Sequence, residues 1–450
     1  MRRIWILWFV GLACATVLAH AQQVNQPQAF RDTEPAPGVS VQPGMDIVVG
    51  VAKATIEIDG QPIASTLAGQ VFPAIRVEKD WIWIEFGWLR RSDVLPFDTA
   101  VEYFTPRIQR QPTVTSYLVR GAVLSRQGEF DKALADFEAA LKLEPRNPVV
   151  YLRRGQVRLA VGQDDQALAD YTQALSLDPV LIDALITRGS FYCDHQAFQE
   201  GIRDYTAVIK LAPRDARGYL LRATAWGELK DADQELADAS AAIKLLPSAY
   251  LAYTVRAGAY QLKGDNDRAL VEYTEALRLK PDDIDNLIAR AWIWEQKGDL
   301  EKSLADLNQA IEFSPYDTMA LTNRGWIRVS QGKFSEAMAD FDKTIELGPM
   351  SAGAWGNKAW LLATGAEDRF RNGSKALEAA IEACELTEWK DSHSLEVYAA
   401  AKAELGDFEE AVQHQTKAVE LSPSDLKAKA ELRLKLYQEG KPCRGEAAKP

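Results

Sequence analysis

Residues 114–147 read VTSYLVRGAVLSRQGEFDKALADFEAALKLEPRN. Tyr117, Gly121 and Leu124 fall on one stripe of a helix, and Gly128 ends it. Ala133, Phe137 and Ala140 form the stripe of a second helix. Pro145 stops that helix, because proline lacks an amide donor and disfavours helix in the residue before it. The proline returns at Pro179, Pro213, Pro247, Pro281, Pro315 and Pro349, always after 34 residues. A period that survives six steps without an insertion is one helix-turn-helix unit stacked many times. It predicts a mainly α chain, an α-solenoid.

The other positions keep the same beat. The second repeat has Tyr151, Gly155, Ala167, Tyr171, Ala174 and Pro179; the fifth has Tyr253, Ala257, Tyr260, Ala269, Tyr273, Ala276 and Pro281. This order (aromatic, small, bulky, then Ala, aromatic, Ala, Pro) resembles the tetratricopeptide repeat (TPR). The resemblance covers residues 114–423, about nine repeats. Small residues let the two helices of a unit approach, and the aromatics fill the space between units. Asp215, Asp283, Asp317 and Asp425 stand where helix N-termini need caps.

Departures mark special places. The fourth repeat has Lys230 in a glycine position, with Glu235 and Ala239 at packing positions, and is expected to be a soft joint. The eighth follows the pattern through Trp355 and Ala359, gains residues around Asp368–Gly373 and resumes with Ala376. The ninth keeps Ala399, Gly406, Ala411, Ala418 and Pro423. Residues 424–438 read as a charged capping helix, and 439–450 as a disordered tail.

Upstream of the repeats the composition changes. Residues 1–21 have the form of a secretory signal: Arg2 and Arg3, an apolar run Ile4–Leu18, and Ala19-His20-Ala21 as a cleavage site. The expected destination is periplasmic or extracellular; an uncleaved segment would anchor the chain in a membrane. Residues 22–44 read as a flexible linker. Residues 45–96 hold short β-branched and aromatic runs, with the pair Asp59-Gly60 as a hairpin turn and the alternation Trp81-Ile82-Trp83-Ile84. Their ending, Gly87-Trp88-Leu89 to Val94, resembles the close of bacterial SH3-like domains. That resemblance implies a small all-β barrel and, in many members, binding of cell-wall peptides or other short ligands. Residues 97–113 are expected to be a bridging helix with Ala100, Phe104 and Ile108 on one face and Pro106 as a bend.

Two rows of residues emerge only when the repeats are aligned. Arg120, Arg154, Arg188, Arg222, Arg256, Arg290 and Arg324 precede the small position, and Lys358 continues them. Asp136, Asp170, Asp204, Asp238, Glu272, Asp306 and Asp340 follow sixteen residues later. In an antiparallel helix pair these reach the same height, so a ladder of ion pairs is expected; a basic stripe for a ligand is the other reading. Trp292, Trp326 and Trp360 share a second position, and Asn323 and Asn357 a third. In the tetratricopeptide family both positions face the concave groove, which implies a peptide or glycan site; the alternative is that the rings fill space between neighbouring first helices. The family's clamp for terminal carboxylates is not expected, since Leu118, Ile186, Ala122 and Ser190 stand at clamp positions.

The remaining chemistry is thin. The chain has 450 residues and a formal net charge of −12, or −14 once Arg2 and Arg3 are removed. Such a chain repels nucleic acid phosphates. Cys193, Cys384 and Cys443 show no metal spacing. Cys193-Asp194-His195 is a cluster in sequence, but residues two apart on a helix do not face each other. No enzyme and no cofactor are predicted. The expected function is an exported scaffold that binds protein or peptide partners, with the SH3-like module as a second binding site; the alternative is a glycan or peptidoglycan binder of the cell envelope.

Overall fold

The computed structural model describes residues 41–444 except 52, 59, 60, 85, 86 and 425. The signal segment, most of the linker, the Asp59-Gly60 turn, the Asp425 cap and the last six residues lie outside the described residues. The chain divides after Asp265 into two units, and each is described by itself.

The first unit opens with eight strands: β1 Asp46–Val49, β2 Lys53–Ile58, β3 Gln61–Leu67, β4 Val71–Pro73, β5 Arg76–Glu78, β6 Trp81–Ile84, β7 Gly87–Arg90 and β8 Val94–Pro96. All pairings are antiparallel. The expected closed barrel is not formed. The described strands make two sheets, β4-β1-β8 and β3-β2-β7-β6-β5. The reason lies in β1, whose Ile47, Val48 and Val49 are all buried. Ile47, Val49, Phe72 and Val94 pack on the larger sheet with Ile82, Ile84 and Leu89. Val48, Val71 and Leu95 point the other way, into a core shared with helices. A sheet that is apolar on both faces is satisfied by being sandwiched, and here the helices supply its second cover.

Helix α1, Phe97–Arg110, runs through Pro106 and buries Ala100, Phe104 and Ile108 in that shared core. Helix pairs follow: α2 Val114–Arg126 and α3 Phe130–Leu143, α4 Pro148–Ala160 and α5 Asp164–Leu177, α6 Ile182–Asp194 and α7 Phe198–Leu211, α8 Ala216–Glu228 and α9 Ala232–Leu245. Helix α10, Tyr250–Leu262, ends the first unit, and α11, Asn266–Leu279, starts the second. There α12 Ile284–Gln296 and α13 Leu300–Phe313, α14 Thr318–Ser330 and α15 Phe334–Leu347, α16 Ala352–Thr364 and α17 Gly373–Leu386, α18 Ser392–Glu404 and α19 Phe408–Leu421 precede α20 Lys427–Gln438. Within each unit the successive helices stack as an α-solenoid.

Three details explain the repeat's sequence. Each recurring ring lies on the small residue of its own pair: a Cβ placed on Gly121, Gly155, Gly189 or Gly325 would stand 2.8, 2.6, 2.7 or 2.5 Å from the ring of Phe137, Tyr171, Tyr205 or Phe341. Asp215, Asp283 and Asp317 accept backbone N–H bonds at helix starts. The aromatic that opens a repeat is tied to the proline before it: the hydroxyls of Tyr151, Tyr219 and Tyr253 donate to the carbonyls of Pro145, Pro213 and Pro247, and the Trp355 indole donates to Pro349. The two residues recur together because one bonds the other. Tyr253→Phe removes one such bond at an exposed edge and is expected to cost about 0.5–1 kcal/mol, readable as a small drop in denaturation midpoint.

The fourth repeat accommodates its odd residue locally. Glu235 is buried, and its carboxylate lies against Gly227, where a Cβ would meet Oε1 at 2.7 Å. Lys230 takes the left-handed conformation, φ +59°, that Gly128, Gly162, Gly264, Gly298 and Gly332 adopt in their repeats. The division of the chain falls after Asp265, in the fifth repeat. The insertion of the eighth repeat is pinned by Arg371, which donates to the Gly365 carbonyl at 2.7 Å and to Glu404 at 3.1 Å.

Candidate functional site

The arginine row and the acidic row meet. In Arg120–Asp136, Arg154–Asp170, Arg188–Asp204, Arg222–Asp238, Arg290–Asp306 and Arg324–Asp340, both Nε and Nη2 donate to the two carboxylate oxygens, at 2.6–3.1 Å. These bonds hold the Arg120, Arg154, Arg188 and Arg222 guanidinium groups above their usual pKa. The third edge of the same group reaches backwards. Nη1 of Arg120, Arg222, Arg290 and Arg324 donates to Thr105, Thr206, Thr274 and Asn308 on the helix before. One guanidinium therefore joins three successive helices. Arg158 and Arg328 add a second cation to Asp170 and Asp340. Lys358 breaks the rule and pairs backwards with Asp342 at 2.7 Å. Arg256 and Glu272 fall in different units.

The tryptophan row does not form one surface. Trp292 is 43% exposed, but Trp326 is 4% and Trp360 1% exposed. The groove expectation is therefore corrected for the last two. Trp326 packs on Phe341, ring centres 5.4 Å apart. Trp360 is covered by the Arg433 guanidinium, 4.4 Å from its ring centre. Arg433 is buried on α20 and paired with Glu396 at 2.8 Å. Asn323 and Asn357 are half-buried. Met319, at the start of α14, is 52% exposed and joins Trp292 as an accessible apolar side chain.

Cys193, Asp194 and His195 do different things. Burial pushes the Cys193 thiol up to about 11 and the buried Cys384 thiol up to about 12, opposite to what a nucleophile needs. His195 bridges repeats: Nδ1 bonds the Phe191 carbonyl at 2.8 Å and Nε2 the Asp164 carboxylate at 3.0 Å. Both partners only accept, so both bonds together require the imidazolium, and the Asp164 bond raises the His195 pKa. A raised folded pKa adds stability that is complete below the ordinary histidine value and fades as pH rises through the folded value. The stability difference between wild type and His195→Gln should thus be largest below about pH 6 and vanish in alkali. Both groups are partly exposed, so it should stay under about 1 kcal/mol. Among the described residues no three His, Cys, Asp or Glu side chains gather to hold a metal ion, and no helix is long and apolar enough to cross a membrane.

Family models described as tetratricopeptide repeat match residues 114–147, 149–180, 256–318, 322–393 and 393–425, together more than half of the chain. The chain is a tetratricopeptide repeat protein. No curated protein matches it. Among solved structures it is similar to a tetratricopeptide repeat protein from Parabacteroides merdae, at 20% identity over 56% of this chain and 94% of that one, TM-score 0.44. It is also similar to YrrB, described as a TPR protein with an unusual peptide-binding site, at 20% identity over 41% and 95%, TM-score 0.35. Yeast Tom70 is a third, at 14% identity over 76% and 92%, TM-score 0.41. The ring-on-glycine packing at Gly121, Gly155 and Gly325 lies within the matched residues of this tetratricopeptide array, while residues 181–255, which hold the third and fourth repeats, lie outside them. The residues that sequence reasoning missed are those that join repeats: Thr105, Thr206, Thr274 and Asn308. Their signal was a polar side chain fifteen or sixteen residues before the arginine.

Proposed function

We propose that this chain is an exported scaffold that binds extended peptide segments of other proteins on its first-helix face. Tetratricopeptide repeat proteins act as protein–protein interaction scaffolds. One observation carries the reading here. The repeated charges are spent on holding helices together, while Trp292 and Met319 stay open to solvent on the first helices of adjacent repeats. A large ring exposed on a rigid support suits a partner anchor, since little side-chain entropy is lost when it is covered. Export rests on Arg2, Arg3, the apolar run to Leu18 and the Ala19-His20-Ala21 site. The test is affinity capture by the full chain compared with Trp292→Ala and Met319→Ala. Selective loss of captured proteins in both variants, with unchanged circular dichroism, supports the reading. An identical capture profile would sink it.

A second reading, binding of an envelope glycan, is favoured by the outer face of β6 and β7. Trp83 stands opposite Trp88 with ring centres 5.2 Å apart, and the Arg90 guanidinium lies 5.4 Å from the Trp81 ring. Flanking carboxylates come from Glu57 and Glu78 on the neighbouring strands. Sedimentation of the full chain with purified cell wall, lost in Trp83→Ala and kept in Trp292→Ala, would favour this reading over the first.

A further inference from the structure

Arg153 on α4 differs from the ladder arginines in one respect. Among the described residues no carboxylate lies within ion-pair distance of it. Nη1 donates to the amide oxygen of Gln156 at 3.1 Å, one turn along the helix, and Nη2 to that of Gln70 at 3.2 Å. Nε is buried and has no acceptor. The neighbouring Arg154 spends the same Nε–Nη2 edge on both oxygens of Asp170, at 2.9 and 2.7 Å. In Arg153 that edge meets one neutral oxygen and nothing else. Burial pushes its pKa down, and Asp183 on α6 offsets this only through longer-range attraction.

The surroundings are fixed in place. Gln70 follows Gly69, whose amide donates to the Val49 carbonyl, while the Gln70 carbonyl accepts from Val49 N–H, both at 2.9 Å. Gly69 has φ +78° and presses on α2, where a Cβ would meet that of Ala122 at 2.6 Å. A turn of the β region is thereby wedged against the first repeat and delivers Gln70 to the second. The carbonyl ends of Gln70 and Gln156 face the guanidinium, which leaves their NH2 ends as further donors. A buried cation held by neutral amides is costly unless an anion completes it. A planar carboxylate matches the unfilled Nε–Nη2 edge, because a guanidinium bonds it through two parallel N–H groups. Nε is buried, so the Arg153 side chain must turn outward to receive it.

We propose that Arg153, Gln70 and Gln156 form a receptor for a single carboxylate, the side chain of an aspartate or glutamate in a bound peptide. The site rests on the peptide-binding reading above but uses different residues from Trp292 and Met319. In a chain with net charge −12, one local cation selects an isolated acid without attracting an acid-rich ligand.

The test follows the arginine Nε–H resonances of the full chain by nitrogen-15 NMR, with Arg153 assigned by its absence in Arg153→Lys. The probes are sodium acetate, a blocked Gly-Gly-Glu-Gly-Gly peptide, its Gln counterpart, and Gly-Gly-Gln-Gly-Gly with a free C-terminal acid. Saturable movement of the Arg153 resonance with acetate and the Glu peptide is expected, with the Glu peptide at least tenfold tighter than the Gln peptide. Arg153→Gln, checked for an unchanged melting curve, should abolish that difference. No saturable movement with any carboxylate, or a Glu preference that survives in Arg153→Gln, overturns the receptor. Tighter binding of the free-acid peptide than of the Glu peptide overturns the choice of a side-chain carboxylate. If the receptor fails while Trp292→Ala still loses captured partners, the scaffold reading stands without it.

Discussion

Arg188→Ala lowers the stability of the first unit by about 3–5 kcal/mol, because it strands a buried carboxylate. Asp204 is buried, and both of its oxygens are held by Arg188 at 2.8 Å. Unlike Asp170 and Asp340, it has no second cation among the described ion pairs. Little of the loss is the attraction itself. Most of it is the cost of leaving Asp204 desolvated with no donor. The check is a urea denaturation series with three variants. Arg188→Ala should shift the midpoint strongly, and Arg154→Ala less, since Arg158 still serves Asp170 at 2.8 Å. Arg188→Met with Asp204→Leu should recover most of the loss, because the charge and its orphan leave together. An unchanged midpoint in Arg188→Ala would remove the ladder from the energetics of the fold.

Phe341→Ala is expected to cost about 3–5 kcal/mol in the second unit. The ring is fully buried and packs against the neighbouring residues Gly325 and Trp326 of α14. The opposite error is also costly. Gly325→Ala would place a methyl 2.5 Å from a ring carbon that has nowhere to go, a clash worth about 1–3 kcal/mol. The two sites are in contact, so their effects should not add. Gly325→Ala should cost clearly less in a Phe341→Leu background than alone. Additive losses in that cycle would mean that the ring and the glycine are independent.

The interval of the prolines carried most of the helical fold, because each unit is specified by contacts within about one period. Arg188 and Asp204 could be aligned from sequence for that reason: both belong to one helix pair. Trp360 could not. Its position in the repeat places it on the first helix, but its burial comes from Arg433 on the last helix, and no local rule announces a cover from so far along the chain. The strand runs of residues 45–96 were legible as strands by their alternation. Their closure was not, because Val48, Val71 and Leu95 look the same in sequence whether they face a barrel interior or a helix. Arg153 was invisible as a site for a related reason. Its character depends on Gln70 from the β region and on the lack of a carboxylate that its neighbour Arg154 enjoys.

The double-sided sheet β4-β1-β8 has a consequence for how this chain can be cut, moved or recombined. A boundary drawn after Pro96 follows the change in secondary structure, yet it passes through a single core. Val48, Val71 and Leu95 would face water on one fragment, and Phe104, Leu118 and Val119 on the other. Neither fragment could hide that surface alone, so both would be prone to self-association. The smallest transferable piece therefore includes α1, the first helix pair and α4, whose Val150 and Val157 share that core, along with the strands. Any lineage or engineer that shuffles the β region must carry those helices with it.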